Sequence, residues 1–214
     1  MAIRLVIFDC DGVLFDSEPA NLAFYREVMR LSGAPPVPTS AEAAFHSLAS
    51  VQLFEKLYGD RPEIHERVQR IARELDYGPF FPLMEPKPLL RETLAELRTR
   101  YGTAMATNRG ATTHRVLEFF DLRDLFDLAV GVLDVARPKP HPDMLLHCLE
   151  RLEVEPDEAV YVGDQPTDLE AAEGAGMHFI GIGPMAEKSR LSVERFEDLP
   201  KLVRGIGSPA QSPR

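Results

Sequence analysis

The chain has 214 residues, enough for one good-sized domain or a domain carrying an insertion. Its 44% hydrophobic and 27% charged residues describe a globular protein, and a net charge of −10 without any basic stripe excludes a partner held through nucleic-acid phosphates. No apolar run approaches the roughly 20 residues of a membrane span, Asp9 and Asp11 interrupt the only run that could begin a leader, and Cys10 and Cys148 are too few for a disulfide framework, so a reducing cytoplasm is the expected compartment.

In chain order, Leu5-Val6-Ile7-Phe8 is a short, bulky apolar run that predicts a buried strand. Asp9 and Asp11 stand where it ends, with Gly12 after them to serve a tight turn or a positive φ. Leu22, Tyr25, Val28 and Met29 recur at helical spacing over residues 19–31, with Ser17 to begin that helix and Gly33 to end it. A proline-rich connector at 34–38, a short helix through Ala44, a helix at 50–58 and another capped by Asp60 follow. Residues 17–83 thus read as helices without a strand signal. The pattern then alternates: helix 88–101, strand 103–107, helix 111–120, strand 128–132, helix 142–152, strand 159–162, helix 166–175, strand 178–182, and a mixed stretch from Leu191 to Val203. Strand, helical insert, then helix–strand alternation predicts an α/β protein with a doubly wound parallel sheet. The expected division is a core of residues 1–16 and 84–205, a helical cap at 17–83, and a disordered polar tail at 206–214.

Each predicted strand ends in polar residues. Thr107, Asn108 and Arg109 follow one, Lys139 sits in Arg137-Pro138-Lys139-Pro140 after the next, and Gly163-Asp164-Gln165-Pro166-Thr167-Asp168 follows a third. In a parallel sheet these ends share one edge, where ligands bind. The gathered set is Asp9, Asp11, Thr107, Lys139 and Asp164, with Asp168 a further candidate. Clustered carboxylates suit a hard cation such as Mg²⁺. A hydroxyl and a lysine beside it suit phosphoryl oxygens. One carboxylate can attack phosphorus, and a second two residues on can protonate the leaving oxygen and later deprotonate water. Each fragment also has a plain reading: the first two aspartates as turn acids, Thr107-Asn108 as a strand-to-helix turn, Lys139 as a solvated loop residue, and Asp164 with Asp168 as acids at a helix start.

In order and together, these fragments resemble the haloacid dehalogenase superfamily, in its branch with a helical cap after the first motif that contains phosphoglycolate phosphatase and β-phosphoglucomutase. Asp9-Cys10-Asp11-Gly12-Val13 matches DxDx(T/V), Thr107 the second motif, Lys139 the third, and Gly163-Asp164 through Asp168 the GDxxxD fourth. The resemblance implies a Rossmann-like core. It implies Asp9 as nucleophile and Mg²⁺ ligand, and Asp11 as general acid/base with its carbonyl also on the metal. Thr107 and Lys139 would bind the phosphoryl group, Asp164 would be a metal ligand, and Asp168 a ligand or an outer partner. Asn108 and Arg109 join the phosphate-binding candidates, Arg109 either facing the site or lying at the surface of a helix start. The family's cap contributes a specificity loop near 44–48, which makes His46 and Ser47 substrate-contact candidates.

The implied function is Mg²⁺-dependent hydrolysis of a small phosphomonoester through an aspartyl-phosphate, by a cytoplasmic monomer or weak homodimer with no nucleic-acid or membrane partner. The alternatives are a β-phosphoglucomutase-like phosphomutase and, in another class, a phosphate-accepting signalling or binding module. An acid at position 11 favours phosphoryl transfer over carbon–halogen chemistry.

Overall fold

The structure, a computed structural model, describes residues 2–35 and 50–206. Two compact units divide it: one runs through Leu14 and resumes at Lys87, the other spans Phe15–Pro86. The helix expected to end at Ala44, the candidates His46 and Ser47, and all but the first residue of the tail lie outside the described residues.

The first unit is built on strand β1 (Leu5–Phe8), all four residues of which are buried. A strand buried on both faces needs an unbroken apolar run, and that is how the sequence reads there. β4 (Gly102–Ala106) and β6 (Ala159–Gly163) flank it in parallel, and β5 (Leu128–Val130), β7 (His178–Gly181) and β8 (Leu191–Ser192) extend the sheet to the order β5-β4-β1-β6-β7-β8. The chain winds outward from β1 on one side and then the other, so the strand order reverses beside β1, the place where a doubly wound sheet leaves a crevice. Helices α4 (Leu90–Arg98), α5 (Thr113–Phe119), α6 (Asp143–Leu152) and α7 (Pro166–Ala175) lie in the connections between strands, and α8 (Leu199–Gly205) follows β8.

The period of two sorts the β1 side chains between two cores. Leu5 and Ile7 join Met144, Leu145, Cys148, Ala171 and Ala172 from α6 and α7. Phe8 points the other way, its ring 6.2 Å from Phe126 and 5.9 Å from Phe196. Register fixes the edge chemistry. Phe8 is level with Met105 of β4 and Val162 of β6, so Asp9, one residue on, is level with the last residue of each neighbour.

The second unit holds α1 (Glu18–Ser32), α2 (Ser50–Tyr58), α3 (Pro62–Glu74), a 3₁₀ segment at Gly78–Leu83, and a two-residue antiparallel pair, β2 (Phe15–Asp16) with β3 (Glu85–Pro86). The buried face of α1 carries Phe24 and Tyr25. Phe24 packs on Tyr77 and Phe80, with ring centroids 5.0 and 5.6 Å away, and Tyr77 donates a 2.6 Å hydrogen bond to the buried Asn21. Gly33 ends α1 in the left-handed conformation, as its position in the sequence predicts. One expectation changes: Arg61, not Asp60, is the N-cap of α3. The β2–β3 pair lies just outside the segment 17–83, read as free of strands. Two-residue strands carry no periodicity for a sequence to display.

Candidate active site

Asp9 follows β1, and its backbone N–H is held by Val162 O at 2.9 Å, which continues the β1–β6 ladder past the strand end. Its carboxylate is buried. Lys139, from the loop after β5, reaches it from the side, Nζ to Asp9 Oδ1 at 2.8 Å. The same ammonium donates to Asp168 Oδ1 at 2.6 Å and to the Tyr161 hydroxyl at 2.8 Å. An ammonium has three hydrogens, so each N–H has its own acceptor. Tyr161 OH also lies 3.0 Å from Ala106 O, the residue before Thr107, which ties β4, β6 and the Lys139 loop at one point.

Asn108 clamps that loop from the other side. Its Oδ1 accepts the Lys139 backbone N–H at 3.0 Å and its Nδ2 donates to the Lys139 carbonyl at 3.2 Å. Thr107 is buried, and its hydroxyl oxygen accepts the N–H of Arg109 at 3.2 Å. Sequence reasoning places Asn108 and Arg109 with the phosphate binders. Here the Asn108 amide is on the Lys139 backbone and the Arg109 guanidinium is on Asp11, Nε to Oδ2 at 2.9 Å and Nη2 to Oδ1 at 2.5 Å.

Asp168 opens α7 and spends both oxygens on the protein. Oδ1 takes Lys139 and stands 3.1 Å from the Tyr161 hydroxyl, while Oδ2 accepts the backbone N–H groups of Asp164 and Gln165 at 3.1 and 3.0 Å. Asp164 differs. Gln165 donates to its Oδ2 at 2.8 Å, but its Oδ1 is buried without a partner. Gly12, at φ +81°, lies so close that a Cβ there would run into the Asp164 carboxylate.

The electrostatics follow from crowding. Asp9, Asp164 and Asp168 offer oxygens all within 4.8 Å of one another. Burial, with Asp168 beside it, pushes the Asp164 carboxyl up to about 7. Burial also raises Asp9, the neighbouring acids add to this, and Lys139 opposes it. Burial works against the Lys139 charge, but Asp168 and Asp9 outweigh it and hold the ammonium above its ordinary value. Three carboxylates against one ammonium leave a deficit of two positive charges, and one donor oxygen is orphaned. That is the environment a hard divalent cation fits.

Tyr161 is the site residue the sequence reading missed. The available signal was a hydroxyl in the middle of a buried strand, Ala159-Val160-Tyr161-Val162, which must find a polar partner.

Comparison with known proteins agrees with this geometry. Residues 6–182 match the family described as haloacid dehalogenase-like hydrolase. A phosphorylated carbohydrates phosphatase from Thermotoga maritima is 31% identical over 191 residues, 83% of this chain and 84% of its own. A phosphoglycolate phosphatase from Pseudomonas putida is 30% identical over 97% of this chain and 81% of its own. The crystal structure of a HAD-superfamily hydrolase, subfamily IA, from Geobacter sulfurreducens superposes with a TM-score of 0.80 at 35% identity, covering 94% of this chain and all of that one. The chain belongs to the haloacid dehalogenase-like hydrolase family. Within that family it is a phosphatase, an enzyme acting on small phosphate compounds. Among the described residues, no helix is long and apolar enough to cross a membrane.

Proposed function

We propose that the enzyme hydrolyses a small soluble phosphomonoester in the cytoplasm, with Asp9 as nucleophile and Mg²⁺ at the acidic cluster. The observation that carries this reading is the Asp9 carboxylate at the end of β1, 2.8 Å from the Lys139 ammonium and beside the unpartnered Asp164 Oδ1. Phosphatases of this family generally use Mg²⁺. Asp9, Asp164 and the backbone carbonyl of Asp11 would hold it. Asp168, with both oxygens engaged by N–H groups and Lys139, acts as the outer partner that fixes Lys139. When bound, Mg²⁺ supplies charge neutralisation for the phosphoryl oxygens.

The protein groups do the rest. The Thr107 hydroxyl binds a phosphoryl oxygen, and Lys139, giving up one of its three contacts to do so, binds another and balances the Asp9 charge that would otherwise repel them. A carboxylate oxygen of Asp9 attacks phosphorus in line, and the ester P–O bond breaks as Asp11 gives a proton to the departing oxygen. Water then attacks the phosphorus of the aspartyl-phosphate and loses a proton to Asp11. Phosphate leaves and the Asp9 carboxylate returns. The names of the relatives direct attention to phosphorylated sugars and phosphorylated small acids.

The test is a panel of phosphorylated metabolites read by release of free phosphate, with Mg²⁺ and with chelator. Release that needs the metal, and that vanishes in Asp9→Asn with the fold intact, is the expected result. Transfer back to sugar without net phosphate would favour the mutase. A stable phosphoprotein without turnover would favour the signalling module. Retained hydrolysis in Asp9→Asn would remove Asp9 as nucleophile.

A further inference from the structure

Phosphoryl chemistry assigns Lys139, Thr107 and the carboxylates but leaves Arg109 without a task. Its placement is built. The backbone N–H donates to Thr107 Oγ1 at 3.2 Å, and the carbonyl accepts Val132 N–H at 2.9 Å and Thr113 Oγ1 at 3.1 Å. The residue is buried. From this anchored backbone the guanidinium meets Asp11 as a planar fork, one N–H to each carboxylate oxygen. Fork-to-carboxylate pairing fixes orientation as well as position, which a lysine at this point would not do.

We propose that Arg109 is the positioning residue of Asp11. It holds the Asp11 carboxylate by both oxygens in the free enzyme. As substrate binds, the oxygen turned toward the leaving group takes a proton from solvent while Arg109 keeps the other. The proton that Asp11 later takes from water returns to solvent as the fork closes again. The inference rests on the phosphatase reading above, in which Asp11 serves the leaving group. It separates Arg109 from the phosphate binders by a distinct consequence. An arginine on the phosphoryl oxygens would help every ester alike. An arginine that orients Asp11 helps in proportion to the leaving group's need for a proton.

The test compares an aryl ester, p-nitrophenyl phosphate, whose leaving group departs as a stable anion, with an alkyl ester of similar size, 2-phenylethyl phosphate. The whole enzyme is used with Mg²⁺, and kcat/KM is measured because it reports the steps through departure of the leaving group. General acid catalysis contributes about 10² to 10⁴ in rate, so Arg109→Met is expected to lower the alkyl-to-aryl ratio by about 10²-fold. Arg109→Lys, which can hold one oxygen, restores part of that ratio. Asp11→Asn shifts the ratio in the same direction, and the double variant Asp11→Asn with Arg109→Met adds no further shift, because the two residues act as a unit.

An equal fall on both esters, an unchanged ratio or a raised one would overturn the proposal. So would a double variant whose shift is the product of the single ones. Should Arg109→Met not fold, Arg109→Lys alone decides: an intermediate ratio supports the proposal and a wild-type ratio overturns it. Turnover of neither ester by the wild-type enzyme would sink the phosphatase reading together with this one, whereas wild-type turnover with an unmoved ratio in the variants sinks this one alone.

Discussion

The Lys139 ammonium lies 2.6 Å from Asp168 Oδ1, and both groups are almost wholly buried. Because Asp168 Oδ2 also takes the backbone N–H groups of Asp164 and Gln165, this carboxylate joins the Lys139 loop to the start of α7. Removing one partner of such a pair strands the other charge in a low dielectric, and Asp168→Ala is therefore expected to cost about 3–5 kcal/mol of folding stability. Asp168→Asn should cost less, since its amide oxygen can still accept the backbone N–H groups. Urea denaturation of the metal-free protein measures both. A loss near zero in Asp168→Ala, the size expected of an exposed pair such as Arg30 with Glu27, would remove the linking role.

Tyr161→Phe removes the acceptor for the third Lys139 hydrogen and a polar contact at the Ala106 carbonyl, without changing the ring that packs near Phe179. A buried group left unsatisfied costs about 1–3 kcal/mol, so the variant should lose that much stability. Activity should fall as well, through the freed Lys139 side chain rather than through any loss of core. Pairing the melt with a turnover assay checks this. A stable variant with full turnover would show that Asn108 and the two aspartates suffice to place Lys139.

The core was legible where chemistry and periodicity coincide. The run Leu5–Phe8 was read as a buried strand and is one, and the motif residues Asp9, Thr107 and Asp164 follow adjacent parallel strands. The partners were not legible. Nothing in the spacing of Asp11 and Arg109, 98 residues apart, signals a two-point ion pair, because the pairing is made by the register of β1 against β4 and not by local sequence. Asn108 was likewise read by its neighbourhood to Thr107, whereas both ends of its amide are used on the backbone of Lys139, a residue 31 positions away. Asp168 could not be sorted between ligand and outer partner from the GDxxxD spacing. That distinction depends on which donors reach its oxygens, and those come from Lys139 and from the α7 N-terminus together.

Gly12 is expected to tolerate no side chain. It holds φ at +81°, where an L-residue is strained, and a Cβ would meet the Asp164 carboxylate. Gly12→Ala should lose more than the ~1 kcal/mol of an ordinary incompatible Gly→Ala change, since Asp164 must also shift. It should weaken divalent-ion binding at the same time, which a Mg²⁺ titration followed by thermal shift would record. Equal Mg²⁺ response in Gly12→Ala and wild type would mean that Asp164 is not held where the turn requires it.

The raised Asp164 carboxyl makes metal and pH dependence one experiment. In the unfolded chain this group ionises near an ordinary aspartate value, whereas in the fold burial and Asp168 push it up to about 7. Between those values the native state keeps a proton that the unfolded state has lost. The linkage slope is then negative: this group's contribution to metal-free stability is full below about pH 4, falls as pH rises, and is spent above about pH 7. A divalent cation reverses the balance, because it binds the carboxylate and must expel that proton. The thermal shift produced by a fixed Mg²⁺ concentration should therefore be small at pH 5.5 and grow through pH 7 to a plateau above it, as ligand binding to the native state adds stability by mass action. In Asp164→Asn the metal-free melting temperature should lose its decline across that range, and the Mg²⁺ shift should shrink at every pH. A Mg²⁺ shift independent of pH in the wild-type enzyme would show that the cation does not compete with a proton at Asp164.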